Sequence, residues 1–254
     1  MKLRTYISAA LVIAFSACFA APVHGAGAPE KDCAVDTYAQ ALTALKNHPS
    51  TDEFEAIQAE LAVRRNMLRV VVRCAKRDIE ASEKAVRALS VKSENDRQIQ
   101  NEISDRIHDV LRDKNLDEGR INDLGLRATK DAAKEIKDLR IRIFLPLKER
   151  AENFALWMKS ALLIGTAENR LRDISKALAF LGIADKEDVA DLLKGAGEHL
   201  GEARALHEKV RPLFERPGTS EEISLAIKAA LDALSRGYQN FFAISGEVKK
   251  LVPL

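Results

Sequence analysis

The stretch IQNEISDRIHDVL, residues Ile99–Leu111, decides the fold class of this chain. Its apolar residues Ile99, Ile103, Ile107 and Leu111 stand four apart, and mostly polar or charged residues fill the positions between them. Side chains three or four residues apart share one face of an α-helix, so these four form one narrow apolar seam. Such a seam is typical of helices that pack as in a coiled coil.

The same helical periodicity extends from this seam in both directions. No proline or glycine interrupts residues 50–114, and apolar residues recur three, four and seven apart from Phe54 to Leu89. The long helix over this region either breaks near Ser90–Ser93 or runs on through the seam. Further helices are predicted over residues 117–145, 148–164, 166–181, 185–210 and 219–248.

Three sites are expected to interrupt the helices that follow the seam. Pro146 lacks a backbone N–H donor, so it should kink its helix or restart it. Gly165-Thr166 should break the chain, with the threonine capping the next helix. Gly182 should end that helix, because glycine readily adopts the left-handed conformation of a C-terminal cap. The alternating stretch Leu139–Ile143 resembles a strand, but its helical flanks favour a helix.

Together these patterns predict an all-α fold, an elongated antiparallel helical bundle with long coiled-coil-like helices after a cleaved signal peptide. The chain has only 12 glycines and 7 prolines, which is typical of a helix-rich protein. Its apolar content of 46% is enough for a packed core, so disorder is not expected. We assign residues 1–25 to the signal peptide and 26–254 to one helical domain, with a possible weak subdivision near residue 115.

The first 25 residues have the order of a secretory signal peptide. Lys2 and Arg4 precede the apolar run Ile7–Phe19, and small residues follow up to Gly25. Cleavage is expected near Ala20 or next to Gly25 and Ala26, and lipid attachment at Cys18 is the less favoured alternative. The apolar run is shorter than the ~20 residues that span a bilayer. We therefore predict a periplasmic or secreted protein.

Two cysteines, Cys33 and Cys74, remain after cleavage. An oxidising compartment favours their pairing. A helix is predicted over residues 36–47, with a turn at residues 48–50 before the long helix that carries Cys74. These lengths allow the two sulfurs to meet, provided that the chain before Asp36 is extended. We predict a structural disulfide between them, with one buried and one exposed free thiol as the alternative.

The charge balance argues against a nucleic-acid partner. Removal of Lys2 and Arg4 with the signal peptide leaves equal numbers of basic and acidic residues, 38 of each. A protein that neutralises phosphates carries a basic excess. We therefore expect no nucleic acid among the partners.

No defensible catalytic motif occurs in the chain, such as a serine nucleophile elbow, a phosphate loop or a zinc-protease signature. The stretch Gly195–Gly201 superficially resembles a dinucleotide loop, but the helical pattern before it favours small residues at a helix–helix contact. The best metal candidates lie close together in sequence: Glu198, His199, Glu202 and His207. Di-iron bundles need Glu-x-x-His on two helices, and this chain has none. We expect no cofactor, no metal and no enzyme activity, and an enzyme built on scattered acids is the weaker alternative.

A run of basic residues between Arg64 and Arg77 contains no acid. The arginine stripe, which we define as Arg65, Arg69, Arg73 and Arg77, follows one helical face because its members stand four apart. The favoured explanation is that acids on a neighbouring helix balance the positive charge of the stripe. Candidates that also stand four apart are Asp105, Asp109 and Asp113. The functional alternative is a site for an anionic partner or an anionic lipid surface.

These observations lead to two hypotheses of different classes. The first is an exported, non-catalytic bundle that acts as a binding or structural interaction module for a protein partner. The alternative is a membrane-active helical protein that binds or inserts into lipid. The apolar segment Phe154–Ile164 and the arginine stripe motivate this alternative, although Lys159 interrupts the segment.

Overall fold

A computed structural model of the chain describes residue 43 and residues 52–112, 117–216 and 218–251. Every regular element with defined bounds in this part of the chain is a helix, so the all-α prediction is confirmed there. The helices are α1 (Glu53–Arg87), α2 (Glu94–Leu111), α3 (Glu118–Ile121), α4 (Leu126–Leu139), α5 (Leu145–Phe180), α6 (Glu187–Phe214) and α7 (Ser220–Leu251), with a π-helical turn (Arg140–Phe144) between α4 and α5.

Several sequence predictions concern residues that the structure does not describe. The signal peptide, its cleavage sites and Cys18 lie outside the described residues, as does Cys33. Cys74 lies half-buried on α1. The disulfide therefore stays a prediction, and so does export.

The chain divides into two compact units, residues 1–71 and 72–254. In the first unit, the described residues 52–71 belong almost entirely to α1, and Leu61 and Leu68 are buried there. The second unit contains the rest of α1 and all the later helices. The subdivision suggested near residue 115 falls at residues 113–116, which lie outside the described residues.

The long helices α5, α6 and α7 of the second unit pack antiparallel. The starts of α5 and α7 meet the end of α6 in one buried cluster, through Leu147, Ile223 and Phe214. Their opposite ends meet in a second cluster, through Leu178, Ile244 and Val189. The seam of α2 joins the first cluster, with Ile99, Ile103 and Ile107 all buried. The end of α1 adds Ile79 and Val86 to the same cluster, so burial of apolar stripes from five helices builds the core of this unit.

The turn between α1 and α2 shows which alternative holds for the long helical stretch. The helix breaks at Ser90–Ser93, where no regular helix is present. The side-chain amide of Gln100 on α2 donates to the carbonyl oxygens of Val86 at 2.7 Å and Leu89 at 3.2 Å. Carbonyls at a helix end lack donors within their own helix. Gln100 thus caps α1 and holds the two helices in a tight turn.

The stretch that alternates like a strand forms the π turn, so its helical prediction is confirmed. The N–H of Leu145 bonds to the carbonyl of Arg140, five residues back. Pro146 follows in the first turn of α5 and cannot donate to the carbonyl four residues before it. The wider π turn accommodates this missing bond, and α5 restarts beside the proline as predicted.

The predicted break at Gly165-Thr166 is wrong, because α5 continues through both residues to Phe180. The Thr166 hydroxyl donates to the carbonyl of Leu162 at 2.8 Å instead of capping a new helix. An interior glycine destabilises a helix by only about 1 kcal/mol, which the buried contacts of the flanking turns outweigh.

The predicted stop at Gly182 is confirmed. Its φ of +69° lies in the left-handed region that glycine tolerates. The N–H groups of Gly182 and Ile183 bond back to the carbonyls of Ala179 and Leu178 at 3.0 and 3.1 Å. This arrangement is a Schellman motif, and Ile183 completes it by packing on Leu178.

The two glycines are expected to respond oppositely to alanine substitution. Gly165→Ala should raise the free energy of unfolding by about 0.5–1 kcal/mol, because alanine favours helix. Nothing lies within 4 Å of the added Cβ. Gly182→Ala should lower the free energy of unfolding by about 1 kcal/mol, because a Cβ is strained at positive φ. Urea unfolding followed by circular dichroism measures both, and shifts of the same sign would contradict this assignment.

Candidate functional site

The most distinctive group of polar side chains in the second unit surrounds His207 on α6 and Trp157 on α5. The imidazole stacks on the indole, with ring centroids 5.1 Å apart and planes 16° apart. Trp157 Nε1 donates to the carbonyl of His207 at 3.0 Å. Ser160 Oγ lies 3.0 Å from His207 Nδ1 and donates to the Trp157 carbonyl at 2.7 Å. Backbone and side chains of both helices are therefore joined at one point.

Two carboxylates from α2 face arginines of the long helices beside this point. Asp96 Oδ1 lies 3.0 Å from Nε of Arg211 on α6, whose guanidinium carbon lies 5.8 Å from the centre of the Trp157 ring. Glu102 accepts from Arg150 of α5 at 3.1 Å. Burial lowers the pKa of Arg150. We call Asp96, Trp157, Ser160, His207 and Arg211 the polar cluster.

A serine, a histidine and an aspartate are also the components of a hydrolytic triad, but this geometry does not support one. The Ser160 side chain is buried, with 1% of the residue exposed, and its hydroxyl donates to a carbonyl of its own helix. A substrate could not reach this oxygen. Asp96 pairs with Arg211, so the partner that would orient His207 is already engaged. The polar cluster is built to join helices.

The metal candidates predicted from the sequence do not converge. His199 Nδ1 lies 3.7 Å from Glu202, but the same Glu202 oxygen accepts from Arg236 of α7 at 2.7 Å. The hydrogen bond from Arg236 lowers the pKa of this exposed carboxyl. Glu198 is exposed, and His207 belongs to the polar cluster. Among the described residues, no three His, Cys, Asp or Glu side chains are placed to hold a metal ion.

The glycines of the stretch Gly195–Gly201 lie inside α6, as the helical pattern before them predicted. A Cβ on Gly195 would lie 2.8 Å from Asn240 Nδ2, and one on Gly237 of α7 would lie 3.1 Å from Leu200 Cδ2. Small residues from both helices thus allow α6 and α7 to approach closely. A phosphate loop would instead have to open a helix after a strand.

The arginine stripe lies entirely on α1, with Arg65 and Arg69 in the first unit and Arg73 and Arg77 in the second. Arg73 Nη2 lies 2.9 Å from Glu118 at the start of α3, and 65% of its side chain stays exposed. An acid does therefore face this arginine, although it comes from α3. A binding role for the stripe stays a prediction.

Of the acids that the sequence suggested as partners for the arginine stripe, Asp109 pairs with Arg112, the residue after the end of α2. Asp105 is exposed on α2. Asp113 lies outside the described residues. Register between neighbouring helices decides such pairings, and helical spacing alone does not specify it.

The apolar segment Phe154–Ile164 has two different faces on α5. Phe154 and Trp157 are buried in the core. The opposite side carries what we call the outer leucine patch: Leu156, Leu162 and Leu163, which are 43%, 71% and 49% exposed. Lys159 is exposed between them. In the part of the chain that the structure describes, no helix has both the length and the apolar character of a bilayer span.

A second exposed apolar surface lies at the π turn, and the sequence reasoning missed it. Ile141 and Ile143 are 52% and 41% exposed, and Arg140 and Arg142 beside them are exposed as well. We call these four residues the basic π-turn surface. The alternation of apolar and basic residues could have indicated this surface from the sequence. Residues that alternate within a helix point in different directions, so the isoleucines cannot all face a core.

In comparisons with known proteins, no protein-family model, no curated protein and no solved structure matches the chain.

Proposed function

We propose that this chain is an exported, non-catalytic helical-bundle protein that binds a protein partner through the outer leucine patch of α5. The observation that supports this proposal best is the exposure of Leu162, 71%, on a helix whose opposite face is fully packed. Several exposed apolar side chains on one side of a helix form a surface that a binding partner can cover. The sequence of residues 1–25 supports export.

The chemistry of the patch favours an amphipathic helix as the bound element of the partner. Leu156 and Leu163 are seven residues apart, so they lie two turns apart along nearly the same line of α5. A second helix covers such a line with its own apolar stripe. Lys159 lies between the leucines and makes no ion pair with the described residues, so an acidic residue of the partner would complement it.

Site-specific photo-crosslinking tests this proposal. A benzophenone amino acid at position 162 should form a defined protein adduct in the exported fraction, whereas the same group at Leu225 should not. Leu225 is a matched control because it is 60% exposed on α7. Lys159→Glu and Leu156→Asp should each lower the adduct yield about tenfold, since loss of one buried leucine or a like-charge contact is worth about 1.5 kcal/mol. Equal adducts at positions 162 and 225, or none at 162, would contradict the proposal.

An anionic membrane surface is the second candidate partner, and the basic π-turn surface favours it. Arginines beside exposed isoleucines suit the boundary between anionic headgroups and acyl chains. Vesicles of phosphatidylcholine with and without phosphatidylglycerol distinguish the two candidates. Binding only to anionic vesicles that Arg140→Glu/Arg142→Glu abolishes would replace the protein-docking function with a lipid-docking one. Vesicle leakage would indicate the membrane-active alternative.

A further inference from the structure

We infer that His207 and Trp157 form a pH-sensitive joint between α5 and α6, which weakens when the imidazole takes up a proton. This inference goes beyond the proposed function, because it concerns the interior of the bundle and not its outer surface. It rests on three features of the polar cluster: the stack of the two rings, the serine that binds the imidazole, and the cation already present beside it.

The hydrogen bonds of the polar cluster satisfy a neutral imidazole. The Ser160 hydroxyl donates to the Trp157 carbonyl at 2.7 Å, so its oxygen is free to accept from Nδ1–H of His207, 3.0 Å away. The neutral imidazole therefore makes its hydrogen bond to Ser160 with the single proton on Nδ1. A second proton, at Nε2, would add charge to a half-buried ring without adding a bond between these groups.

A cation is already in place beside the ring. Arg211 lies four residues after His207 on α6, and its guanidinium carbon is 5.8 Å from the centre of the Trp157 ring. An indole face attracts a cation, which by itself would favour protonated His207. Here the attraction is shared with Arg211, and like charges four residues apart on a helix repel each other. Partial burial adds to this opposition, so the neutral ring is favoured.

The charged groups around His207 come from two helices. Burial has the largest influence and lowers the pKa of His207. Glu208 on α6 and Asp96 on α2 act to raise this pKa, and Arg211 and Arg204 on α6 act to lower it. The α5 side of the ring is formed by Trp157 and Ser160, which do not titrate near neutral pH. Among the described residues, no charged group of α7 contributes to the shift.

Protonation of His207 should lower the stability of the folded protein, because proton binding and folding are linked. The unfolded chain binds the proton near the ordinary histidine pKa of about 6.5, and the folded chain binds it only at lower pH. The stabilisation by neutral His207 is complete above about pH 6.5 and is lost as the pH falls through the folded pKa. Arg211 also pairs with Asp96, so the added repulsion reaches the contact of α2 with the long helices.

The chain contains one tryptophan, and its fluorescence therefore reports directly on this joint. A protonated imidazole stacked on the indole quenches its emission. We expect the wild-type emission to show a titration step below pH 6.5, with no such step in His207→Phe, which retains an aromatic ring. Between pH 7 and pH 5, the Tm of the wild type should fall about 3 °C more than that of His207→Phe. His199→Gln, on the same helix, should behave as the wild type.

An NMR titration of the wild type tests the same inference without depending on the folding of His207→Phe. The ring protons of His207, followed by NMR in the wild type, should titrate with a midpoint below the ordinary value of about 6.5. A midpoint at or above that value would overturn the inference. An emission step that survives in His207→Phe, or an equal fall in Tm for the wild type and that variant, would also overturn it.

Discussion

Phe154→Ala is expected to lower the free energy of unfolding by about 3–5 kcal/mol, the usual range for a phenylalanine removed from a packed core. The Phe154 side chain is fully buried on α5. Its ring centroid lies 5.9 Å from that of Trp157 and 5.6 Å from that of Phe214, the latter edge to face. Removal of the ring leaves a cavity in the cluster that joins α5 to α6. Urea unfolding followed by circular dichroism measures the loss.

Phe180→Ala is the matched control for this substitution. Phe180 is the last residue of the same helix and is 83% exposed, so its truncation removes almost no buried area. We expect a change within about 0.5 kcal/mol. A loss of similar size for both variants, or a loss below about 1 kcal/mol for Phe154→Ala, would show that the core does not lie between these helices.

Arg150→Ala is expected to lower the free energy of unfolding by about 2–3 kcal/mol, because it removes two hydrogen bonds of a charged group from the packed surface between helices. Arg150 Nη2 donates to Glu102 on α2 and to the carbonyl of Phe214. That carbonyl belongs to the last residue of α6, where no helical donor is available. Only 14% of the arginine side chain is exposed, so water does not replace these bonds fully.

Arg172→Ala serves as the control for Arg150→Ala. Arg172 is exposed on the same helix and bonds to Asn169 one turn away. We expect this variant to differ from the wild type by less than about 0.5 kcal/mol. Arg150→Lys should recover part of the loss, because lysine restores the charge without the planar fork of donors. Equal effects of Arg150→Ala and Arg172→Ala would indicate that Arg150 is a surface residue.

Local patterns in the sequence were sufficient for most of the helices. The spacing of four residues between Ile99, Ile103 and Ile107 predicted a buried seam, and all three side chains are buried. Gly182 predicted a helix end, because glycine at positive φ serves a cap through local backbone bonds alone. Both predictions depend on residues close in sequence, which explains why they succeed.

The misses arise where distant parts of the chain outweigh a local preference. Gly165 lies inside α5 because the flanking turns are buried against other helices, and this outweighs its low helix propensity. The restart at Pro146 was predicted, but the π turn that precedes it was not specified by the local pattern. Arg73 pairs with Glu118 of α3, which spacing along α2 did not suggest.

The sequence by itself determined that this chain is helical, that its apolar stripes form a core, and that it carries no recognisable catalytic motif. Tertiary structure alone decided which polar groups meet. His207 and Ser160 are 47 residues apart in the chain, and Asp96 and Arg211 are 115 apart. Helical periodicity specifies the face of one helix on which a residue lies. The rotation and register of two packed helices depend on the whole core, so only the fold brings such side chains into contact.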